Sequence, residues 1–382
     1  MSFYIADDLF FDFYLNNAQV PITLENINSL VITSNIYDLL PSVRLDIKDN
    51  KNIFAKGLLT DGAILSVAVG NDSDTALKNI TDFVLIGIPE EQRLTNGNSY
   101  TIYGTLNTPY LWKNMEPYGF TGTSSQVLQD LAKKAGLSYE GINTLDSMTW
   151  LSGTLSKADF AKKITNHGWS NDFSCMKSVI TFDKKFLYKD INNLKASGYT
   201  LTNSKSDFNK QNKSQEIEFA EVTFSNKAGL YNYNYGYQTR FVEYGFQGTQ
   251  EFSQIAYDKE DAAVLNINKV TYDAAGLIRN EIMPLNIGNI HQNYSRAYFQ
   301  NMRCSAFNSL KAETYFYHKT PLEVLDRTSF SSLDPQTKEP DLAKAGKWTV
   351  EAKTIAISQQ KYVEKLVLSS TGIELDLFNN LI

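Results

Sequence analysis

The chain has 382 residues, of which 42% are hydrophobic, 13% aromatic and 20% charged, and its formal net charge is −6. This apolar content excludes general disorder, and the length predicts two or three domains. The acidic balance disfavours a protein that grips nucleic-acid phosphates over a broad face.

The N-terminal residues lack the basic start of a secretory signal, and no stretch approaches the roughly 20 apolar residues that a membrane-spanning helix needs. We interpret Cys175 and Cys304, the two cysteines, as buried thiols rather than a disulfide. We therefore expect a protein that is folded in a cytoplasm and does not insert into membranes.

Residues 1 to 108 are predicted to form short β-strands throughout. In Ser42–Lys48 apolar residues alternate with polar ones, as in a half-buried strand, and Leu9–Leu15 is an aromatic strand. Asp82–Pro89 and Ser99–Leu106 flank an Asn-Gly dipeptide, which is typical of a hairpin. This density of short strands indicates a small barrel or sandwich.

Residues 109 to 190 are predicted to contain helices and a ribbon. Thr123–Ala135 has apolar residues at helical spacing. A second helix begins after Ser156, with Asp159 in the capping position, and ends near His167.

Further along, Val179–Phe182 and Phe186–Lys189 are predicted to form a hairpin. Residues 191 to 215 are polar, and we interpret them as a long connection. Glu216–Ser225 is predicted to be one strand, because its residues alternate along the whole segment.

The next part of the chain contains a tyrosine-rich tract, Tyr231–Tyr237, which is typical of an edge strand or a contact loop. Asp258–Leu265 is predicted to be a short helix, Gln292–Phe307 a longer one and Leu310–Tyr317 a strand.

A C-terminal ribbon, Lys347–Ile357 and Lys361–Ser369, is predicted to close a small barrel like the N-terminal one. Strict alternation would place Trp348, Val350 and Ala352 on one side of its first strand. Lys353 and the other odd-numbered residues would then lie on the opposite side.

No side chain is identified as catalytic, cofactor-binding or metal-binding. His167, His291 and His318 are far apart in sequence and lack metal-ligand spacing. We expect His167, at a helix C-terminus, to be a cation that complements the helix dipole. The sequence has no phosphate loop, nucleophile elbow or dinucleotide fingerprint.

Four segments carry a resemblance to a known family. They are Ser42–Asp49, Thr149–Phe160 with the helix that follows it, the hairpin end Phe186–Asp190, and Gly346–Val350 with the strand that leads to Ser369. In this order they resemble the baseplate hub proteins of contractile phage tails and the N-terminal region of the type VI secretion spike proteins (VgrG). The similarity covers about residues 5 to 372.

The resemblance implies a β-rich α+β fold with two tube-type β-barrel domains. The first would comprise residues 1–108, and the second would be split between 191–240 and 308–382, including the ribbon. An inserted α+β domain at 109–190 and a peripheral insert at 241–307 would lie outside them.

The resemblance also implies a function without catalysis or cofactors. Three copies would form the hub of a bacteriophage or phage-derived contractile injection system, an adaptor between the six-fold tail tube and the three-fold central spike. Its partners would be itself, the tube and spike proteins and other baseplate proteins, with DNA only passing through the lumen of the virion tail.

Two alternatives remain open from the sequence. The first is a tail-associated protein that binds a receptor or glycan through its tyrosine-rich surfaces. The second is a peptidoglycan hydrolase, which would need a pair of carboxylates that the sequence does not single out.

Overall fold

The structure is a computed structural model. It describes residues 9–20, 24–51, 54, 59–71, 79–87, 90–94, 97–112, 116–203, 215–226, 238–244, 250–256, 278–284, 290–308, 310–331, 333, 341, 344–358 and 361–370. The Tyr231–Tyr237 tract and the helix predicted at Asp258–Leu265 lie outside these residues.

The N-terminal part of the chain is built of strands, as predicted. They are β1 Leu9–Leu15, β2 Ala18–Gln19, β3 Ile27–Asn35, β4 Ser42–Asp49, β5 Ile64–Asn71, β6 Asn79–Leu85, β7 Glu90–Leu94 and β8 Gly97–Leu106.

A region of helices and short strands follows. Its elements are α1 Pro109–Trp112, β9 Gly119–Gly122, α2 Ser124–Lys134, β10 Ser138–Gly141, β11 Met148–Leu151, α3 Lys157–His167, β12 Met176–Ile180 and β13 Lys185–Asp190. We call it the helical region.

The rest of the chain returns to strands, with one further helix. The elements are β14 Ala196–Thr202, β15 Gln215–Glu218, β16 Glu221–Asn226, β17 Gln238–Tyr244, β18 Gln250–Ala256, β19 Ile278–Pro284, α4 Tyr294–Phe307, β20 Leu310–Phe316, β21 Arg327–Phe330, β22 Gly346–Ser358 and β23 Lys361–Ser370. The β-rich α+β class is therefore confirmed.

Fifteen of the described strands belong to one curled sheet, and β22 lies at its centre. Along one edge β22 pairs with β23, so that the two form the predicted ribbon. Along the other edge β22 pairs first with β21 and then with β3. From β3 the sheet continues through β4, β8, β6, β5, β1 and β2, which with β7 we call the first strand set.

The second strand set consists of β14, β15, β16, β20 and β21. β15 pairs with β14, and β16 pairs with β20, which in turn pairs with β23. β15 and β16 do not pair with each other, but only Phe219 and Ala220 separate them along the chain. The chain therefore links the β14 side of this set to the β20 side.

The alternation predicted for Ser42–Lys48 is confirmed in β4, where Val43, Leu45 and Ile47 are buried. β8 does form a hairpin, but its partner is β7, Glu90–Leu94, and not the strand predicted at Asp82–Pro89, which ends at Leu85 as part of β6. At the turn, Gly97 has φ +127°, and a Cβ there would lie 2.8 Å from the Asp49 carbonyl oxygen.

Two predictions in the second strand set are wrong. Ala196–Thr202, assigned to a polar connection, is strand β14, held between β15 and β21 with Leu201 buried. The strand predicted at Glu216–Ser225 is broken at Phe219 and Ala220. There the chain passes from pairing with β14 to pairing with β20. The Phe219 amide donates to the Thr202 carbonyl, and the Ala220 amide donates to the Tyr315 carbonyl.

The described residues pack into three hydrophobic cores. The first core lies in the first strand set and includes Leu30, Leu45 and Ile102. The second core lies in the second strand set, and the third in the helical region around Leu128 and Phe160. The ribbon contributes side chains to both the first and the second core.

Candidate functional site

The ribbon is the feature that joins the two strand sets. At one end, Val350 and Leu368 are fully buried in the second core. At the other end, Ile357 and Tyr362 are buried in the first core. In the register of the ribbon, Val350 is opposite Leu368 and Ile357 is opposite Tyr362. Since Tyr362 and Leu368 are an even number of residues apart on β23, all four side chains lie on one face of the ribbon.

A β-bulge at Glu351 makes this shared face possible. Val350 pairs with Leu368, but the next partner, Val367, faces Ala352 rather than Glu351. The extra residue shifts the alternation, so Lys353 and not Ala352 follows Val350 on the buried face. The strict alternation predicted from the sequence is therefore wrong beyond Val350.

Between the two cores the same face carries a buried ionic cluster. Lys353 and Glu364 are 1% and 0% exposed, and their Nζ and Oε1 atoms are 3.6 Å apart. The Lys353 ammonium also lies 2.9 Å from Glu323 Oε1 and donates to the Leu322 carbonyl at 2.7 Å. Glu364 accepts hydrogen bonds from the amide and the hydroxyl of Thr320.

Electrostatics keep Lys353 in its cationic form. Burial by itself would lower the pKa of Lys353, but the carboxylates of Glu364 and Glu323 outweigh it and raise the pKa. Burial raises the pKa of Glu323, opposed by the Lys353 charge. The cationic form of Lys353 is thus stabilised between two apolar cores.

On the opposite face of the ribbon, the bulged residue Glu351 is also paired. Its carboxylate lies 2.5 Å from Lys311 Nζ and accepts a hydrogen bond from the Tyr37 hydroxyl at 2.9 Å. The Glu351 carbonyl accepts from the Ile36 amide, which follows β3. The bulge thus contacts β20 and the end of β3, one strand from each set.

The side of the sheet that carries Glu351 has partly exposed residues from β16 to β8, whereas Ser66, Ala68 and Val84 on the same side of β5 and β6 are buried. A row of directly opposed residues crosses it from β16 to β8: Glu221, Tyr315, Lys365, Thr354, Thr33, Ser42 and Thr105. None of them is buried. We call this side the polar face.

Charged residues near the middle of the polar face occur as pairs of opposite sign. Lys365 Nζ lies 2.6 Å from Glu313 Oε2, and Arg44 lies 3.3 Å from Asp46. Partial burial would raise the pKa of Asp46, but hydrogen bonds from Ser29 and the neighbouring Thr and Arg side chains lower it. Burial would lower the pKa of Lys365, but its hydrogen bond to Glu313 raises it.

The two helices predicted in the helical region form where the apolar spacing and the Ser156 cap place them. Thr123 caps α2 in a reciprocal capping box with Gln126, and Ser156 caps α3 by accepting from the Asp159 amide. The hairpin of β12 and β13 is also confirmed, with Lys184 at its turn.

The helical region contacts the first strand set from the core side of the sheet. Ser34 of β3 is in phase with buried Leu30 and Ile32, and its hydroxyl donates to the Ile180 carbonyl at 3.0 Å. Phe182 packs against the first core. The helical region thus reaches the first strand set from the core side, while its Lys184 also lies 3.2 Å from Asp82, which strand alternation puts on the other side of the sheet.

Two of the three histidines meet in the fold, which sequence spacing did not indicate. His167 stacks on Tyr294 with ring centroids 3.8 Å apart, and the His291 Nε2 lies 3.3 Å from the His167 carbonyl oxygen. Burial lowers the pKa of His167 to about 4. The prediction that His167 is a helix-terminal cation is thus wrong, because the side chain is covered by α4 and is neutral near pH 7.

Other features of the described residues bear on chemistry. The Cys175 thiol is buried and lies 4.0 Å from the Asn301 carbonyl oxygen, to which it donates. No group of three or more His, Cys, Asp or Glu side chains within the described part of the chain could hold a metal ion. In the same ranges, no helix has the length and apolarity needed to cross a membrane.

Comparison with known proteins gives a result at the level of structure alone. No protein-family model matches the chain, and neither does any curated protein sequence.

Several solved structures share the fold. The 43 kDa tail protein of prophage MuSo2 from Shewanella oneidensis matches with a TM-score of 0.58 and 9% identity, over 94% of this chain and 98% of that one. The tail protein from Neisseria meningitidis MC58 matches with a TM-score of 0.57 and 10% identity, over 95% of this chain and 97% of that one. A chain of the Francisella PdpA–VgrG complex matches at 0.51 and 10% identity, over 95% of this chain and 58% of that one.

At such identities the likeness is one of fold. The chain has the fold of these phage tail proteins and of a chain in a VgrG complex, and the resemblance predicted from the sequence is confirmed at that level.

Proposed function

We propose that the protein is a structural hub of a phage or phage-like contractile tail. Three copies form an adaptor that joins a six-fold tail tube to a three-fold central spike and encloses part of the DNA channel. The protein is assembled in the host cytoplasm, acts in the tail baseplate of the virion, and catalyses no reaction.

The observation that carries this proposal is the ribbon that two strand sets share. If each strand set is one tube-type barrel, a single chain supplies two barrels held in a constant relation by β22 and β23. Three such chains arranged about an axis present six barrels to the tube and three chains to the spike.

The proposed domains follow the same logic. Residues 1–108 form the first barrel, 191–240 and 308–382 form the second, and 109–190 and 241–307 are peripheral. Because Ile357 and Tyr362 pack in the first core, the first barrel also takes part of the C-terminal ribbon.

The proposed partners are the chain itself, the tube protein, the central spike and other baseplate proteins. The fold shared with tail proteins and with a chain of the PdpA–VgrG complex supports spike and baseplate partners. The trimer and the tube contact follow from the resemblance in sequence.

A mass measurement tests the proposal. The purified chain is mixed with the spike and tube proteins of the same particle, and the complex is sized by light scattering and imaged. We expect a trimer, alone or after addition of the spike, with a ring of six similar lobes. A chain that stays monomeric with both partners refutes the adaptor, and clearing of peptidoglycan in a gel would favour the hydrolase.

A further inference from the structure

We propose that the free edge of β9 is a docking site for a strand of another tail protein, which extends the two-stranded sheet of β9 and β11. The strand that fits there is extended and uncharged. This inference rests on the proposed function, and it names the surface through which the helical region contacts a neighbour in the particle.

The ladder between β9 and β11 determines which backbone groups point out of this small sheet. The Ser152 amide donates to the Tyr118 carbonyl at 2.9 Å, just beyond the ends of the two strands. Bonded and non-bonded pairs alternate in an antiparallel ladder, so Phe120 and Trp150 form the next hydrogen-bonded pair. The residues on either side of Phe120 therefore direct their N–H and C=O groups away from β11.

Those residues are Gly119 and Thr121, and both are exposed. Within the described residues, β11 is the one strand that pairs with β9, and no backbone hydrogen bond outside that ladder involves Gly119 or Thr121. Each residue offers one donor and one acceptor. Together they form the kind of open edge to which an extended segment adds as a further strand.

The edge lacks the features that keep open edges from pairing. Native proteins usually protect an edge strand with charged side chains, proline or a bulge. β9 and β11 contain no charged residue and no proline, although 20% of the chain is charged, and their register is continuous. A neutral strand suits this edge, because a charged one would lose hydration without gaining an ion pair.

An apolar contact lies beside the free edge, on the outer face of the sheet. Leu151 is 62% exposed and lies over Gly119, since a Cβ on Gly119 would be 3.1 Å from the Leu151 Cδ2 atom. The glycine thus lets Leu151 lie across β9, next to the position of the added strand. An apolar side chain opposite Gly119 on that strand would pack against Leu151.

The symmetry of the proposed hub argues for a strand from a different protein. Pairing of β9 with β9 of a second copy would need a two-fold axis, whereas the contacts in a closed three-fold ring are heterologous. The occupant is therefore a second kind of tail protein, recognised through an extended, uncharged segment.

A proline substitution tests the backbone bond in assembled tails. Thr121→Pro removes the outward amide hydrogen, and proline is tolerated on an edge strand where the N–H faces solvent. The matched control, Thr121→Val, keeps the amide, while both variants lose the hydroxyl contact with Thr149 at 3.0 Å. We expect both purified variants to unfold close to the wild-type temperature, and Thr121→Pro to enter tails at least about tenfold less than Thr121→Val.

Hydrogen exchange of the wild-type chain gives a second measurement, which does not depend on how the variants fold. We expect the amides of Gly119 and Thr121 to exchange at least about tenfold more slowly in assembled tails than in the purified chain. The amides of Thr149 and Leu151 point to the opposite edge of the sheet, so they should change less. If Thr121→Pro does not fold, this comparison decides alone.

The outcomes separate this inference from the proposed function. If tails contain the chain but Gly119 and Thr121 exchange as in the purified chain, the hub stands and the docking strand is wrong. The inference also fails if Thr121→Pro enters tails as well as Thr121→Val, because the edge then makes no backbone bond. Slowing of the same amides by self-association of the purified chain would make a second copy the occupant and overturn it too. If the chain is absent from purified tails, both are wrong.

Discussion

The buried cluster in the ribbon makes the sharpest prediction, through Lys353→Met. This substitution keeps a long unbranched side chain but removes the charge beside Glu364. Because Lys353 is 1% exposed and Glu364 is 0% exposed, solvent cannot replace the lost cation. We expect the variant to be less stable at neutral pH in both strand sets.

The expected loss of unfolding free energy follows from the contacts that Glu364 keeps in the variant. Removal of one partner from a buried ion pair costs about 3 to 5 kcal/mol. Glu364 keeps hydrogen bonds from the Thr320 amide at 3.2 Å and the Tyr362 hydroxyl at 3.0 Å, which favour the lower end of that range. The loss should be smaller at acidic pH, because protonation of the uncompensated carboxylate removes the buried charge.

Hydrogen exchange of the slowest amides in β3 and β21 measures this loss. β3 belongs to the first strand set and β21 to the second, and both pair with β22, so we expect protection to fall in both. Lys353→Met with Glu364→Gln should recover about half of the loss or more. The matched control is Lys365→Met. The ion pair of Lys365 with Glu313 is partly exposed, so its loss should lower the free energy of unfolding by less than ~1 kcal/mol.

The reasoning would be refuted if Lys353→Met cost less than about 1 kcal/mol, since the buried pair then carries no penalty when broken. It would also fail if only one strand set lost protection, because the ribbon would then not couple the two cores.

Three further predictions concern the helical region. Gly168→Ala should lower the free energy of unfolding by about 1 to 3 kcal/mol, because the new Cβ would clash with the Tyr188 hydroxyl oxygen. Thermal unfolding would show this, and adding Tyr188→Phe should recover part of the loss. His167 should destabilise the contact between α3 and α4 by up to about 3 kcal/mol as the pH falls from 6.5 towards 4, because its pKa of about 4 in the fold lies below the unfolded value. Hydrogen exchange of α4 against pH measures this, and His167→Gln should flatten the curve. Thr123→Ala should cost about 1 kcal/mol, since the capping box with Gln126 is lost; an unchanged midpoint in urea would contradict it.

Sequence patterns were reliable where the cause of an element is local. The alternation in β4, the apolar spacing of α2 and the cap at Ser156 depend on residues a few positions apart, so the elements appear where they were predicted. The two ribbon strands were also placed correctly to within one residue at each end.

Sequence patterns were misleading where a distant partner decides. Ala196–Thr202 has little apolar content, yet it is a strand because β15 and β21 pair with both of its edges. His167 was assigned a charge from its place on α3, but residues more than one hundred positions away bury it.

By itself, then, the sequence determined those strands and helices that a local hydrophobic period or cap specifies, because these signals act over one or two turns of chain. It also carried the resemblance to phage tail hubs. Tertiary structure alone decided that Glu351 bulges and that Lys353 and Glu364 meet between two cores. The reason is that a shift of one residue in β22 exchanges its faces, and the energy that selects the shift comes from packing against strands far away in the chain.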